Sequence, residues 1–304
     1  MKVLVTGGAG FIGSATVREL RARGHRAVIF DRHRDPDSGE EIILGDIRDA
    51  TAVTEAVVHV DAVIHLAGVL GTQETIANPR PAAEVNIGGG LNICEACARY
   101  RTPLVNIAVG NHFEYSTYSI SKTCVERFTV MYARYRDLPV CSVRAFNAYG
   151  PGQSVAQPWG TSRVRKIIPS FIARALHGEP IGVYGDGSQV MDMIYVADVA
   201  RCLVTALENG PADGTLYNAG TGRATTVADI ASMVRVEVMR QVGITPDIEY
   251  LPMRPGETPG SEVLADTARL VPGVAADEMR SLEDGLAVTV GYYRKLFAEA
   301  ALRA

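Results

Sequence analysis

Short apolar runs and longer amphipathic stretches alternate along the first half of this chain. The runs at 2–5, 26–30, 41–44, 62–65, 103–108 and 140–146 are almost continuously apolar, as strands buried on both faces are. Residues 14–23, 84–100 and 118–136 read as the intervening helices. The alternation predicts an α/β fold. After Gly152 the texture changes: residues 153–165 are polar and loop-like, a mobile flap or a substrate-lining segment. Helices follow at 167–177, 199–208, 226–242 and 282–301, with short strands at 180–184, 191–196 and 216–218. In helix 118–136, Ile120, Cys124, Phe128, Met131 and Tyr135 form one apolar stripe, and Val125 and Tyr132 belong to a second. One stripe serves the core; the other predicts a homodimer interface.

The first strand runs into Thr6-Gly-Gly-Ala-Gly-Phe-Ile-Gly13, and a helix follows. Gly8, Gly10 and Gly13 satisfy G-x-G-x-x-G, while Gly7, Gly10 and Gly13 satisfy G-x-x-G-x-x-G. Glycines at this spacing turn the chain tightly, admit a pyrophosphate to the backbone and let the helix pack on the strand. The helix N-terminus then offers free N–H groups to an anion. A dinucleotide site is expected. Asp31, ending the second strand, stands where a carboxylate binds both adenosine ribose hydroxyls. It would repel a 2′-phosphate, so the cofactor expected is NAD. Leu66-Ala67-Gly68 ends the fourth strand with residues small enough for a cofactor to lie on the backbone.

Composition narrows the choice further. With 304 residues, 47% hydrophobic and 21% charged, the chain is globular and suits one large α/β domain or two joined ones. A net charge of −4 gives no general attraction to nucleic acid or anionic membranes. No apolar run approaches the roughly 18 residues of a membrane span, and no export signal is evident. Five cysteines then suggest reduced thiols in a cytoplasm. Cys94-x-x-Cys97 lies on an apolar helix without a second ligand pair, so core packing is expected and no metal site. His65 reads as strand-end packing. Tyr118 and Lys122, at i and i+4, share one helical face.

Taken in order, T-G-G-A-G-F-I-G (6–13), Asp31, G-D-I (45–47), H-L-A-G (65–68), N-I-G-G (86–89) and Y-S-I-S-K (118–122) resemble the extended short-chain dehydrogenase/reductase family. The likeness continues with R-A-F-N-A-Y-G-P (144–151), I-I-P-S-F (167–171), V-Y-G-D-G-S-Q (183–189), Y-V-A-D-V-A (195–200), N-A-G-T-G (218–222) and R-P-G-E (254–257). The branch is that of nucleotide-sugar epimerases and dehydratases. The resemblance implies a doubly wound parallel Rossmann sheet with a smaller C-terminal α/β substrate domain. Residues 1–150 and about 190–212 would bind NAD, and about 151–189 with 213–304 the nucleotide sugar. It implies cofactor contacts from Gly7, Gly10, Phe11, Ile12, Gly13, Asp31, Asp46, Ile47, Leu66 and Ala67. Tyr118 would be the base that takes a sugar hydroxyl proton. Lys122 would lower its ordinary pKa of about 10 and bind the nicotinamide ribose. Asn147 would contact the sugar diphosphate, Arg254 a phosphate oxygen and Tyr184 the base, taken as uracil.

Three departures bear on the reaction. The Ser or Thr usual at the end of the fifth strand is missing from Ile107-Ala-Val-Gly110. Asn111, Ser116 or Thr117 would have to replace it. The connection to Tyr118 is short. Met191 stands where a phosphate-binding arginine is usual. Gly110 and Asn111 also occupy the positions of the Asp-Glu pair that 4,6-dehydratases use, which disfavours dehydration. The leading expectation is a UDP-sugar 4-epimerase working through a transient 4-keto sugar. The alternatives are a UDP-glucuronate decarboxylase or another keto-forming enzyme, with Arg163, Arg165 or Lys166 holding a carboxylate, and a catalytically idle NAD-binding protein.

Overall fold

The computed structural model describes residues 1–34, 39–210 and 212–303. The chain begins β1 (Lys2–Thr6), α1 (Phe11–Ala22), β2 (Arg26–Asp31), β3 (Glu41–Leu44), α2 (Ala50–Val57), β4 (Ala62–His65), α3 (Thr72–Ala77) and α4 (Pro79–Ala83). It continues α5 (Gly90–Tyr100), β5 (Leu104–Val109), α6 (Thr117–Arg136), β6 (Val140–Ala145), β7 (Asn147–Tyr149), α7 (Ile167–Leu176), β8 (Ile181–Tyr184), β9 (Val190–Tyr195) and α8 (Val196–Asn209). It ends β10 (Asp213–Ala219), β11 (Ala224–Thr226), α9 (Val227–Val242), β12 (Ile248–Leu251), β13 (Glu262–Val263) and α10 (Leu282–Arg303).

Seven parallel strands form the main sheet in the order β10-β6-β5-β4-β1-β2-β3. The continuous apolar runs are explained by burial on both faces. Val3, Val5, Ala27, Ile29 and Ile64 point to the side covered by α1 and α8. Leu4, Val28, Phe30 and Val63 point to the side covered by α2, α5 and α6. This is the doubly wound Rossmann arrangement expected. Cys94 and Cys97 are buried free thiols of the second layer, and burial pushes both above the ordinary thiol range. No group of metal-ligating side chains occurs among the described residues. None of the described helices is long and apolar enough to cross a membrane.

A smaller α/β region packs α7, α9 and α10 around β8 and β9. Its boundaries depart from the sequence-based division at two strands. Residues 213–219, expected in the smaller region, form the edge of the main sheet beside β6. Residues 190–195, expected with the main sheet, pair instead with β7, β11 and β13. Pairing partners of short strands depend on contacts remote in sequence, which local pattern does not carry. Helix α8 does return to the main sheet, through Val199, Cys202 and Leu203.

Helix starts also differ from expectation; α8, for one, begins at Val196 and not at Val199. The first helix begins at Phe11, with Gly10 as its N-cap, so Phe11, Ile12 and Gly13 form its first turn. The helix expected to open at Glu84 begins earlier, at Pro79, and its Glu84–Gly89 stretch is π-helical before α5 continues it. There the buried Asn86 side chain bonds both backbone groups of Val69 and the Ser121 hydroxyl. A Cβ on Gly89 would lie 2.4 Å from Ile47, and one on Gly90 2.8 Å from Val125. Close approach of this segment to its neighbours therefore sets its sequence.

Candidate active site

A cleft of about 780 Å³ runs from the carboxyl ends of β1, β2, β4 and β5 to the smaller region. Such clefts lie where the strand order of an open sheet reverses. Every position expected to contact cofactor or substrate lines it: Gly7, Gly10, Phe11, Ile12, Gly13, Asp31, Asp46, Ile47, Leu66, Ala67, Tyr118, Lys122, Asn147, Tyr184 and Arg254.

At the cofactor end, Gly7 has φ +71°, and a Cβ there would meet the Ala67 backbone at 2.8 Å. A Cβ on Gly13 would lie 2.1 Å from the Gly7 carbonyl oxygen. Around Gly10 the only near neighbour among the described residues is that same oxygen, at 3.1 Å, so its outer side is open to a ligand. The Ala9 N–H donates to Asp31 Oδ2 at 3.1 Å, which ties the glycine turn to the end of β2. Arg48 beside Asp46 holds that carboxyl down at about 2. The turn, the open helix start and the strand-end acid fit a dinucleotide. His65 is fully buried, 2.7 Å from the Thr6 hydroxyl. Burial and then the Lys122 charge push its imidazole down to about 3, so it is neutral packing, as expected.

Tyr118 and Lys122 stand in the first turns of α6, whose N-cap is Ser116. The Tyr118 N–H donates to Thr75 Oγ1 at 3.2 Å, and its carbonyl accepts from Ser121 Oγ at 3.0 Å. Lys122 is 4% exposed, and among the described residues its ammonium has no hydrogen-bond or ion-pair partner. The expected lowering of the tyrosine pKa is not what the chain's own groups produce. Burial dominates instead: it pushes the Tyr118 phenol up to about 12 and the Lys122 ammonium down to about 8.

The replacement donors fare unequally. Ser116 is buried, its hydroxyl engaged by the Ser119 N–H and side chain, and neither it nor Thr117 lines the cleft. Asn111 does line it, but its Nδ2 donates to Glu114 Oε2 at 2.6 Å. A Cβ on Gly110 would lie 2.6 Å from the Phe146 ring, so this aromatic side chain fills the space beside Gly110 just past the end of β5. Behind this wall, His112 Nδ1 donates to the Gly110 carbonyl at 3.0 Å, and Nε2 faces Arg144, itself paired with Glu126.

At the far end the Arg254 guanidinium sits 4.4 Å above the Tyr184 ring and pairs with Glu257. Its Nε is buried without a partner among the described residues. Arg165 donates to the Tyr184 hydroxyl at 2.8 Å. Asn147 Nδ2 is 3.4 Å from the Asp192 carbonyl oxygen. Met191 lines the cleft, as do Arg165 and Lys166, whereas Arg163 does not. Glu114 and Trp159 are among the lining residues not singled out from sequence. Glu114 is the one acid in the connection between β5 and α6, a signal present but unread. Trp159, stacked on His177, gave no motif.

Known proteins match this chain over almost its whole length. A profile described as the NAD dependent epimerase/dehydratase family matches residues 3–220. A UDP-glucose 4-epimerase of Mycolicibacterium smegmatis is 30% identical, over 97% of this chain and 99% of its own. A UDP-N-acetyl-alpha-D-glucosaminuronate decarboxylase of Bacillus cytotoxicus is 27% identical, over 97% of this chain and 98% of its own. The crystal structure of a Thermus thermophilus UDP-glucose 4-epimerase in complex with NAD superposes with a TM-score of 0.82 at 28% identity, covering 97% of this chain and 99% of that one. With a Rossmann sheet, a glycine turn fit for a dinucleotide and this match, the chain belongs to the NAD-dependent epimerase/dehydratase family of nucleotide-sugar-modifying enzymes.

Proposed function

We propose that this protein is an NAD-dependent nucleotide-sugar 4-epimerase, acting on a UDP-sugar through a transient 4-keto sugar. One observation carries the reading. Tyr118 and Lys122 face the cleft together, between the glycine turn and the Arg254–Tyr184 pair, while Gly110 and Asn111 supply no acid pair after β5. Tyr118 takes the proton of the sugar C4 hydroxyl and later returns it. Lys122, when protonated, holds the phenolate by its charge and binds the nicotinamide ribose. NAD held on the glycine turn would supply the acceptor for hydride from C4 and its return to the opposite face. Asn147 and Arg254 hold the diphosphate, with the Arg254 Nε as one available donor. Tyr184 lies by the base.

Elimination of water needs an acid at the leaving hydroxyl and a base at C5. Glu114 is one carboxyl in this region; Glu257 is paired with Arg254, and Asp46 with Arg48. A specific observation favours a second reading, decarboxylation of a UDP-uronate: Arg165 and Lys166 both line the cleft. We also propose a homodimer through α6, where Ile120 and Tyr135 are 52% and 77% exposed beside the partly buried Cys124, Phe128 and Met131. Light scattering after size-exclusion chromatography tests that assembly.

The deciding experiment incubates the NAD-loaded enzyme with UDP-glucose, UDP-N-acetylglucosamine and UDP-glucuronate, followed by mass spectrometry and NMR. A product of unchanged mass with inverted C4 is expected. Loss of water or carbon dioxide would replace this reading with dehydration or decarboxylation.

A further inference from the structure

We propose that Glu114 determines sugar specificity: its carboxylate accepts hydroxyl hydrogen bonds from a neutral pyranose and excludes a sugar that carries its own carboxylate. The proposal rests on the nucleotide-sugar reading and deepens it.

The position of Glu114 follows from its turn. The Glu114 N–H donates to the Asn111 carbonyl at 3.1 Å, and the Asn111 amide donates to Glu114 Oε2 at 2.6 Å. The turn is thus closed on itself, with the carboxyl half-buried in the cleft wall and Oε2 pinned. Among the described residues Oε1 has no hydrogen-bond donor, so it is available to a ligand. On one side Tyr118 follows at the start of α6. On the other, Glu114 feels the charge of Glu257, whose partner Arg254 covers Tyr184. A nucleotide sugar that runs from Arg254 to Tyr118 places its pyranose beside Glu114.

The charges here oppose a uronate. A sugar carboxylate at this point would meet the Glu114 carboxylate, and like charges brought together in a partly desolvated site are strongly disfavoured. Burial and Glu257 already hold the Glu114 carboxyl above its ordinary range. Of the cations lining the cleft, Arg165 donates to the Tyr184 hydroxyl and Arg254 is paired with Glu257. A carboxylate is instead a good acceptor for neutral hydroxyls, and this one stands in the wall where Gly110 offers no hydroxyl.

Isothermal titration calorimetry tests the assignment, using the NAD-loaded enzyme with UDP, UDP-glucose and UDP-glucuronate. The wild type is expected to bind UDP-glucose at least about tenfold more tightly than UDP-glucuronate. Glu114→Gln should narrow that gap at least about fivefold, chiefly by tightening UDP-glucuronate, and Glu114→Asp should keep most of it. UDP affinity should stay the same in all three, which separates specificity from damage to the fold. Equal or tighter binding of UDP-glucuronate by the wild type, or an unchanged gap in Glu114→Gln, would overturn the role of Glu114. Binding with the expected gap but no turnover of either sugar would overturn the epimerase reading and leave the specificity assignment standing. Failure to bind any of the three would overturn both.

Discussion

The two ends of the cleft are built on different principles. At the cofactor end, recognition is a matter of backbone. Gly7, Gly10 and Gly13 are constrained by what cannot fit beside them, and the helix start supplies the anion site. At the end we propose for the sugar, the lining is instead a set of side chains drawn from segments far apart: Glu114, Asn147, Arg165, Tyr184 and Arg254. A steric constraint on backbone admits few solutions. A set of polar groups admits many, and that is where this chain departs from its family's pattern. Phe146 fills the space above Gly110, and Met191 lines the cleft where the sequence resemblance implies an arginine.

Substitutions can break or sharpen this contrast. The largest effect is expected at the junction of the two ends. Tyr118→Phe should lower kcat by about a thousandfold in the epimerisation assay. It should leave NAD and UDP binding by calorimetry close to wild type, since neither end is altered. Gly13→Ala comes next. A methyl 2.1 Å from the Gly7 oxygen must move backbone, so thermal unfolding should show a loss of about 3 kcal/mol together with loss of NAD binding.

Lys122→Met separates function from stability. It should abolish turnover yet raise stability at pH 7 by about 2 kcal/mol, because it removes a buried cation, and calorimetric melting measures this directly. The sign depends on pH. The folded lysine loses its proton near about 8, the unfolded one near 10.5. Between these values the unfolded state binds the extra proton, so the wild type gains stability as pH rises. The advantage of the methionine variant should therefore shrink across that window; an advantage independent of pH would contradict a buried charge as its cause.

The smallest effect tests the altered wall. Gly110→Ser should cost about 1–2 kcal/mol through collision with Phe146. Combining it with Phe146→Ala should recover at least about 1 kcal/mol relative to additivity, as a double-mutant cycle by chemical denaturation would show.

Legibility in the sequence followed the same division. The apolar runs disclosed the parallel sheet because burial on both faces leaves no alternation to confuse. The glycine spacing disclosed the cofactor end because sterics are local. Tyr118 and Lys122 were readable as a helical pair. Glu114 was not singled out, since an acid in a short polar connection acquires meaning only when Glu257, remote in sequence, is brought near it. Ser116 illustrates the converse: it was a candidate donor by position, and the helix start claimed it as a cap. The pairing of β9 and β10 was likewise settled by tertiary contacts.

The edge position of β10 bears on how the protein is made. The chain completes six strands of the main sheet by Ala145, then lays down β7, α7, β8, β9 and α8 before Asp213–Ala219 closes the edge beside β6. During synthesis, therefore, the outer edge of β6 stays without its neighbour until some seventy further residues have left the ribosome. An unpaired strand edge is a template for the wrong partner. Truncation within that interval is expected to yield an aggregation-prone fragment, and a contiguous excision of the cofactor half before Ala219 would leave its sheet one strand short.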